Sequence, residues 1–226
     1  MHSLFYLLSA LVTLLLLVEG SPQQTQVQAL YFQAPQEAPK EVYLVNAQSR
    51  QQVKITLPRK FFSPTYTLPK GGSLYYILPT PLKEQDQIPP ETPQVKIPHK
   101  WGQVALLAAY HPKNSHLPIK LIPINASQAG FSGGDILFVN YTKALISGKI
   151  GTKELTLNPR KTVKVSKPAP DQESYRSLLY YRMNQSEPDR IFLSQAWRQS
   201  DRRRKLVFVY PEKQKIKLFS AILYSF

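Results

Sequence analysis

The sequence contains no cysteine, and this absence removes several kinds of protein from consideration. A disulfide framework, a lipid-modified N-terminal cysteine, a thiol nucleophile and a thiolate metal site all require that side chain. The chain has 226 residues, of which 42% are hydrophobic, so it can bury a large apolar core without cross-links. We therefore expect a fold that is held together by its core alone.

Histidine and acidic residues are also scarce, with four His and fourteen Asp plus Glu. His111 and His116 lie close together, but no third His and no pair of acids accompanies them, so no metal site is expected. The acidic residues are few and lie mostly in proline-rich segments, so the sequence offers little support for the paired carboxylates of a glycosidase. No nucleophile elbow and no phosphate-binding glycine loop is recognisable. The sequence predicts neither catalytic residues nor a cofactor.

Only one apolar run is long, and it lies at the N-terminus, from Leu4 to Val18. It fits the hydrophobic region of a secretory signal peptide and is short for a membrane span. Small residues at Val18 and Gly20 suit a cleavage site, so residues 1–20 are interpreted as a signal peptide. The run has no Lys or Arg before it, which leaves an uncleaved anchor as the alternative. We expect an exported protein, periplasmic or extracellular at the cell surface, with no transmembrane span in its mature chain.

Basic residues, in contrast, are abundant: 29 Lys plus Arg give a net charge of +15. Residues 1–20 hold Glu19 and no basic residue, so the mature chain has 29 basic and 13 acidic residues, a net charge of +16. Such a charge attracts an exported protein to anionic surfaces. Acidic glycan, lipopolysaccharide and other anionic envelope components are the expected partners, and nucleic acid is disfavoured. The alternative is a solubilising charge spread over the surface.

One pattern occurs twice, in residues 100–125 and in residues 196–223. Each copy opens on one of the two Trp residues, Trp101 and Trp197, continues through an apolar run to Tyr, meets a Pro and returns through Ile-Lys-Leu. This order predicts a β-hairpin in each half of the chain. Repetition at matching places favours a structural role for the two Trp over a role as stacking platforms for sugars.

The remaining sequence alternates short apolar segments with Pro and Gly turns, and long helical periodicity is missing. We predict an all-β protein of two tandem immunoglobulin-like β-sandwich units, residues 27–126 and 134–226, that arose by internal duplication and follow the signal peptide. The proline-rich segment 80–98 is predicted to be a long surface loop. A single larger sandwich built from both halves is the alternative.

Several blocks carry a resemblance to a known family. They are KITLPRKFFSPTYTLPKGG, IPINAS at Ile122–Ser127, GDILFVN at Gly134–Asn140, and KLVFVYP at Lys205–Pro211. With the signal peptide, they resemble a family of exported proteins from environmental Gram-negative bacteria over nearly the whole mature chain. The resemblance implies a β-sandwich protein and no established activity, so it supports the fold and says nothing about chemistry.

The second hairpin differs from the first by an insertion of four residues, which concentrates basic side chains. We predict that this insertion is a surface loop that binds an anionic partner, because Arg forks suit phosphate, sulfate and carboxylate groups. Three lysines of the same hairpin are expected to extend the patch. The candidate binding residues are Arg198, Arg202, Arg203, Arg204 and Lys205, with Lys213, Lys215 and Lys217 as the extension. The alternative is a solvated loop that protects a strand edge.

The sequence thus favours a non-catalytic, exported binding or structural protein of the cell envelope with a basic surface. Two alternatives stay open. One is a carbohydrate-active enzyme whose site is spread over loops. The other is an assembly or chaperone factor that uses an exposed strand edge to contact other surface proteins.

Overall fold

The computed structural model describes residues 24–34, 37–114, 117–127, 131–213 and 215–223. In this part of the chain there are sixteen β-strands and no helix, which confirms the prediction of an all-β protein. The predicted signal peptide, residues 1–20, lies outside the described residues, as does His116. Among the segments described, none forms a helix with the length and apolar character needed to cross a membrane.

The first half of the chain contributes eight strands. They are β1 (Gln26–Tyr31), β2 (Glu41–Asn46), β3 (Gln52–Thr56), β4 (Tyr66–Thr67), β5 (Leu74–Leu78), β6 (Gln94–Lys96), β7 (Gln103–Tyr110) and β8 (Ile119–Asn125). They form two four-stranded sheets, in the orders β4-β1-β7-β8 and β3-β2-β5-β6. We call these two sheets the first sandwich, because a common core lies between them.

The second half also contributes eight strands. They are β9 (Ile136–Asn140), β10 (Leu145–Ile150), β11 (Lys153–Leu157), β12 (Thr162–Val165), β13 (Ser174–Arg182), β14 (Arg190–Arg198), β15 (Arg204–Glu212) and β16 (Lys215–Leu223). Their sheets have the orders β12-β9-β15-β16 and β11-β10-β13-β14 and form the second sandwich.

The two sandwiches have the same strand order, since each strand number of the second is eight higher than its counterpart in the first. In both, the first strand pairs in parallel with the seventh: Val27 of β1 lies opposite Val104 of β7, and Ile136 of β9 lies opposite Lys205 of β15. The seventh strand then pairs with the eighth as an antiparallel hairpin. No sheet of the described chain mixes strands from both halves.

Three apolar cores separate four layers of sheet. One core lies inside each sandwich, and the third lies between the sheets β4-β1-β7-β8 and β12-β9-β15-β16. Leu107 of β7 and Phe208 of β15 are fully buried in this third core. The inner strands are therefore buried on both faces, which accounts for continuous apolar runs such as VALLAA in β7.

Aromatic rings fill one side of the junction between the sandwiches. The centre of the Phe32 ring lies 5.0 Å from that of Phe208, 5.2 Å from that of Tyr210 and 6.0 Å from that of Phe219. Tilted and edge-on pairs at this spacing add to the free energy of apolar burial. The two sandwiches are thus joined by a packed interface in addition to the connecting chain.

Two local predictions were wrong. Residues 80–98 are not entirely a loop, because Gln94–Lys96 form β6 at the edge of a sheet, with Val95 and the following Ile97 buried. An edge position tolerates the flanking prolines. Trp197 does not open the second hairpin: it lies on β14, in the sheet opposite that hairpin.

Candidate functional site

The predicted basic cluster spans a connection between the two sheets of the second sandwich. Residues 199–203 cross from the end of β14 to the start of β15, and we call residues 198–205 the basic loop. Arg198 ends β14, Arg202 and Arg203 lie in the crossing, and Arg204 and Lys205 begin β15. Because they lie on three different elements, the five side chains have different surroundings.

The carboxylate of Asp201 holds the crossing in place. Its Oδ2 accepts a hydrogen bond from Lys167 Nζ at 2.9 Å, and its Oδ1 accepts one from Gln199 Nε2 at 3.0 Å. These bonds, that from Gln199 first, keep the pKa of Asp201 below its usual value. The backbone N–H of Asp201 in turn donates to Asp171 Oδ1 at 2.9 Å and lowers the pKa of Asp171.

Gln199 ties the crossing to the strand that opens the second sandwich. It is only 2% exposed, and its Nε2 also donates to the carbonyl of Gly134 at 3.1 Å. Its backbone N–H donates to the carbonyl of Glu173 at 2.9 Å. Because these hydrogen bonds are buried, Gln199 holds the crossing against the segments that precede β9 and β13.

Gly133 allows the crossing to approach residues 131–135. A Cβ atom at this position would overlap the backbone carbonyl of Asp201, which cannot move without displacing the whole crossing. At the next position, Gly134 has a φ of +90°, a conformation that glycine adopts far more readily than other residues. The two glycines are therefore part of what positions the basic loop.

Beside the loop lies a cavity of about 650 Å³, which we call the basic cavity. Four basic side chains line it, namely Arg198, Arg202, Arg203 and Lys205. The three arginines are exposed, and in the described part of the chain none forms an ion pair with a carboxylate. Arg198 Nε donates to the backbone carbonyl of Gln172 at 3.1 Å, which orients its guanidinium group.

The acidic residues that line the basic cavity are engaged elsewhere. Asp135 is 3% exposed, accepts a hydrogen bond from the backbone N–H of Ser132 at 2.9 Å and lies 4.0 Å from Lys164 Nζ. Asp171 accepts a hydrogen bond from the backbone N–H of Asp201. The lining thus holds four basic side chains against these two carboxylates, and an anion in the cavity would meet several guanidinium donors.

Arg204 does not line the basic cavity. Its guanidinium lies 5.4 Å from the centre of the Phe131 ring, and its Nη1 lies 3.4 Å from Gln103 Oε1 in the first sandwich. Burial lowers the pKa of Arg204. This residue therefore contributes to the junction between the sandwiches rather than to an anion site.

Lys205 points into its own sandwich. Its Nζ lies 4.3 Å from the centre of the Trp197 ring, and burial lowers its pKa. Val104 has the equivalent place in the first sandwich, opposite Val27, and is fully buried. Lys205 thus stands where the other half has a core residue, and it also lines the basic cavity.

The hairpin lysines do not extend the basic patch. Strand β15 runs from Arg204 to Glu212, so Lys213 and Lys215 lie at its far end, roughly 25 Å from the basic loop. Lys217 lies opposite Tyr210, roughly 20 Å from Arg204, and its Nζ is 4.0 Å from Glu212 Oε2. The expectation that they enlarge the site was wrong. The hairpin tips instead provide basic residues that are remote from the site.

Both Trp residues pack against cores, as their structural interpretation expects. Trp101 is half-buried against the core of the first sandwich. Trp197 is half-buried against the core of the second, where its ring lies 6.3 Å from that of Phe138 and 6.4 Å from that of Tyr175. Both rings are thus partly covered by core side chains.

A larger cavity, about 950 Å³, lies at the opposite end of the first sandwich and is lined by four prolines, two tyrosines and the basic residues Lys40 and Arg59, among others. Glu41 is the one acid in its lining, and Glu41 Oε2 is paired with Lys54 Nζ at 2.7 Å. A glycosidase site needs two carboxylates that face each other. This cavity does not supply them.

The residues that hold the basic loop in position carry no recognisable signal in the sequence. Lys167, Asp171 and Gln199 are distant from the basic loop in the chain or unremarkable in type, and Gly133 resembles any loop glycine. Within the described ranges, no group of three or more His, Cys, Asp or Glu side chains could hold a metal ion.

Comparison with protein-family models and with curated proteins finds no match to this chain.

Proposed function

We propose that this protein is an exported, non-catalytic binding protein of the cell envelope that holds an anionic partner, an acidic glycan or lipopolysaccharide, in the basic cavity. One observation carries the proposal. Arg198, Arg202 and Arg203 surround a cavity of about 650 Å³ without an ion-pair partner in the described chain, on a loop whose only acid is bound to Lys167.

Electrostatics favour this function over a solubilising role. Clustered guanidinium groups at a concave surface concentrate positive potential, whereas a solubilising charge is dispersed. The bonds of Asp201 and Gln199 fix the loop before any ligand arrives. A fixed loop loses little conformational entropy on binding, so more of the interaction energy appears as affinity.

For the organisation of the chain, we infer two immunoglobulin-like units, residues 27–126 and 134–226, that derive from one duplicated unit and follow a signal peptide at residues 1–20. The common strand order of the two halves and the parallel pairing of the first and seventh strands support this inference. The resemblance to a family of exported β-sandwich proteins agrees with it.

Binding measurements with two anionic probes test the proposal. The protein is titrated with a sulfated glycosaminoglycan and, separately, with lipopolysaccharide, at about 50 mM and about 200 mM salt. Affinity should fall steeply with salt. The double variant Arg202→Ser/Arg203→Ser should lower affinity by about tenfold or more, because each arginine supplies charge-assisted hydrogen bonds.

A matched control removes the same charge elsewhere. Lys113→Ser/Lys215→Ser changes two exposed lysines at the hairpin tips, at the opposite end of the strands that lead to the basic loop. This variant should keep nearly the affinity of the natural protein. Equal losses in the two double variants would show that only net charge matters and would contradict a site at the basic cavity.

A further inference from the structure

The first sandwich contains a second basic cavity, of about 570 Å³. Lys70, His99 and Lys100 line it and are exposed, and no acidic residue is found among its described lining residues. We call it the sister cavity. No sequence pattern groups these three residues, because they lie in two separate segments.

The sister cavity occupies the place in the first sandwich that the basic cavity occupies in the second. Tyr75, the second residue of β5, forms the floor of one, and Tyr175, the second residue of β13, forms the floor of the other. β5 and β13 are equivalent strands. Both tyrosines are buried, with 4% and 8% of their surface exposed.

The other walls of the two cavities are equivalent as well. Residues just before the first strand contribute in both cases, Thr25 before β1 and Gly134 before β9. The connection after the sixth strand supplies cations in both, Lys100 after β6 and Arg202 after β14. Two equivalent sites in the two halves thus both carry positive charge.

The two cavities open at the same end of the molecule, about 20 Å apart, because two sheets at a spacing of about 10 Å separate the cores of the two sandwiches. Arg204, at the start of β15, lies 3.4 Å from the side chain of Gln103, at the start of β7. Lys100 precedes Gln103 by three residues, about 10 Å of chain at most, whereas Arg203 and Lys205 flank Arg204. The contact between Gln103 and Arg204 therefore lies between the two cavities.

We propose that one linear polyanionic glycan occupies both cavities at once, with the contact between Gln103 and Arg204 between its two bound segments. This inference rests on the proposed function and names its ligand class. An extended ligand fits because a small anion would use only one cavity. Two linked contacts gain affinity through effective concentration without any new type of interaction.

The linings favour a glycan over a nucleic acid. Single-stranded nucleic acids are bound through exposed aromatic rings on which the bases stack. Here the tyrosines are buried floors, and the walls carry hydroxyl and amide groups, such as those of Thr25, Gln172 and Ser200, that can bond sugar hydroxyls. Lys70 and the arginines would hold the sulfate or carboxylate groups.

Size-defined oligosaccharides of a sulfated, uronic-acid-containing glycan test the inference by calorimetry, from the disaccharide to chains long enough to span both cavities. Arg202→Ser/Arg203→Ser should weaken binding of every length. Lys70→Ser/Lys100→Ser should leave the affinity of short chains for the basic cavity unaffected and remove the additional affinity of the long ones, which we expect to be about tenfold or more. Lys113→Ser/Lys215→Ser, with the same net charge, controls for the general attraction of long polyanions.

The outcomes separate this inference from the proposed function. If Arg202→Ser/Arg203→Ser has no effect on any chain, the proposed function itself is wrong. If it weakens binding but Lys70→Ser/Lys100→Ser leaves the dependence of affinity on chain length unchanged, only the proposal that one glycan occupies both cavities is wrong. Single-stranded DNA of equal charge that binds as tightly as the long glycan would also overturn the choice of a glycan.

Discussion

Lys167 Nζ donates a hydrogen bond to Asp201 Oδ2 at 2.9 Å, and this contact fixes the course of the basic loop. Asp201 is the only acid among residues 198–205. Because its carboxylate is bound to Lys167 and Gln199, it holds the loop without neutralising Arg202 or Arg203. The one negative charge within the basic cluster therefore holds the arginines in position.

The position of the loop should matter as much as its charge. We expect Gly133→Ala to lower affinity for a sulfated glycan by about tenfold, because the new Cβ would overlap the backbone of Asp201 and displace the arginines at a cost of about 1–3 kcal/mol. Calorimetric titration measures the loss, and circular dichroism checks that the β-structure is retained. Ser186→Ala, in an exposed turn at the end of β14 opposite Arg198, is the control and should bind normally.

The charge of Lys205 should lower the free energy of unfolding of the protein. We expect Lys205→Met to raise the free energy of unfolding by about 1 kcal/mol at neutral pH, because methionine retains the apolar stem over Trp197 and removes a partly buried charge. Urea denaturation measures the change. Lys205→Ala, which also loses the packing of the stem, should be less stable than Lys205→Met, and the reverse order would contradict the account.

The effect of Lys205 should depend on pH. Burial lowers its pKa in the folded state, so the unfolded chain binds this proton more tightly. The natural protein therefore gains stability as pH rises from the folded pKa toward the unfolded value of about 10.4. The stability that Lys205→Met gains over the natural protein should therefore shrink as pH rises through this range. A gain that grows with pH would contradict the prediction.

Two buried tyrosines should make the protein sensitive to alkali. Burial raises the pKa of Tyr31, against a smaller opposing effect of Arg59, and that of Tyr175, each to about 12. The unfolded chain loses these protons near pH 10, so stability should fall as pH rises from about 10 to about 12. Absorbance of tyrosinate should show both groups titrating late, and Tyr31→Phe/Tyr175→Phe should flatten the loss of stability.

Asn140 should be important for the stability of the second sandwich. It is 1% exposed, and its Nδ2 lies 2.8 Å from the carbonyl of Ala144, 3.2 Å from that of Leu157 and 3.1 Å from that of Asn158. Asn140→Ala would leave buried carbonyls unsatisfied and should lower the free energy of unfolding by about 3 kcal/mol, measured in urea. Asn184→Ala, at an exposed turn, should change it by less than about 0.5 kcal/mol.

The alternation of apolar and polar residues and the position of turn residues were sufficient to predict the all-β class and many of the strands, such as β3 and β12. Both signals are local in the sequence. The stacking of the two sandwiches was missed, although β7 and β15 hold continuous apolar runs that indicate burial on both faces. An apolar run shows that both faces are covered, but it does not identify what covers them.

The faces of the strands could not be predicted either. Tyr110 and Tyr210 match in the sequence pattern, yet Tyr210 packs at the junction between the sandwiches, whereas Tyr110 alternates with residues that face the junction, such as Ala109. A shift of one residue reverses every side chain of a strand. For the same reason, the sequence did not separate inward Lys205 from the exposed arginines beside it.

The salt dependence of glycan binding tests the central claim most directly. For the natural protein, the logarithm of the association constant should fall linearly with the logarithm of the salt concentration. We predict that Arg202→Ser/Arg203→Ser reduces the magnitude of this slope by about 1.5 to 2, because two contacts with anionic groups are lost, and that Lys113→Ser/Lys215→Ser leaves it nearly unchanged. An unchanged slope in the arginine variant, or an equal reduction in both variants, would contradict a binding site at the basic cavity.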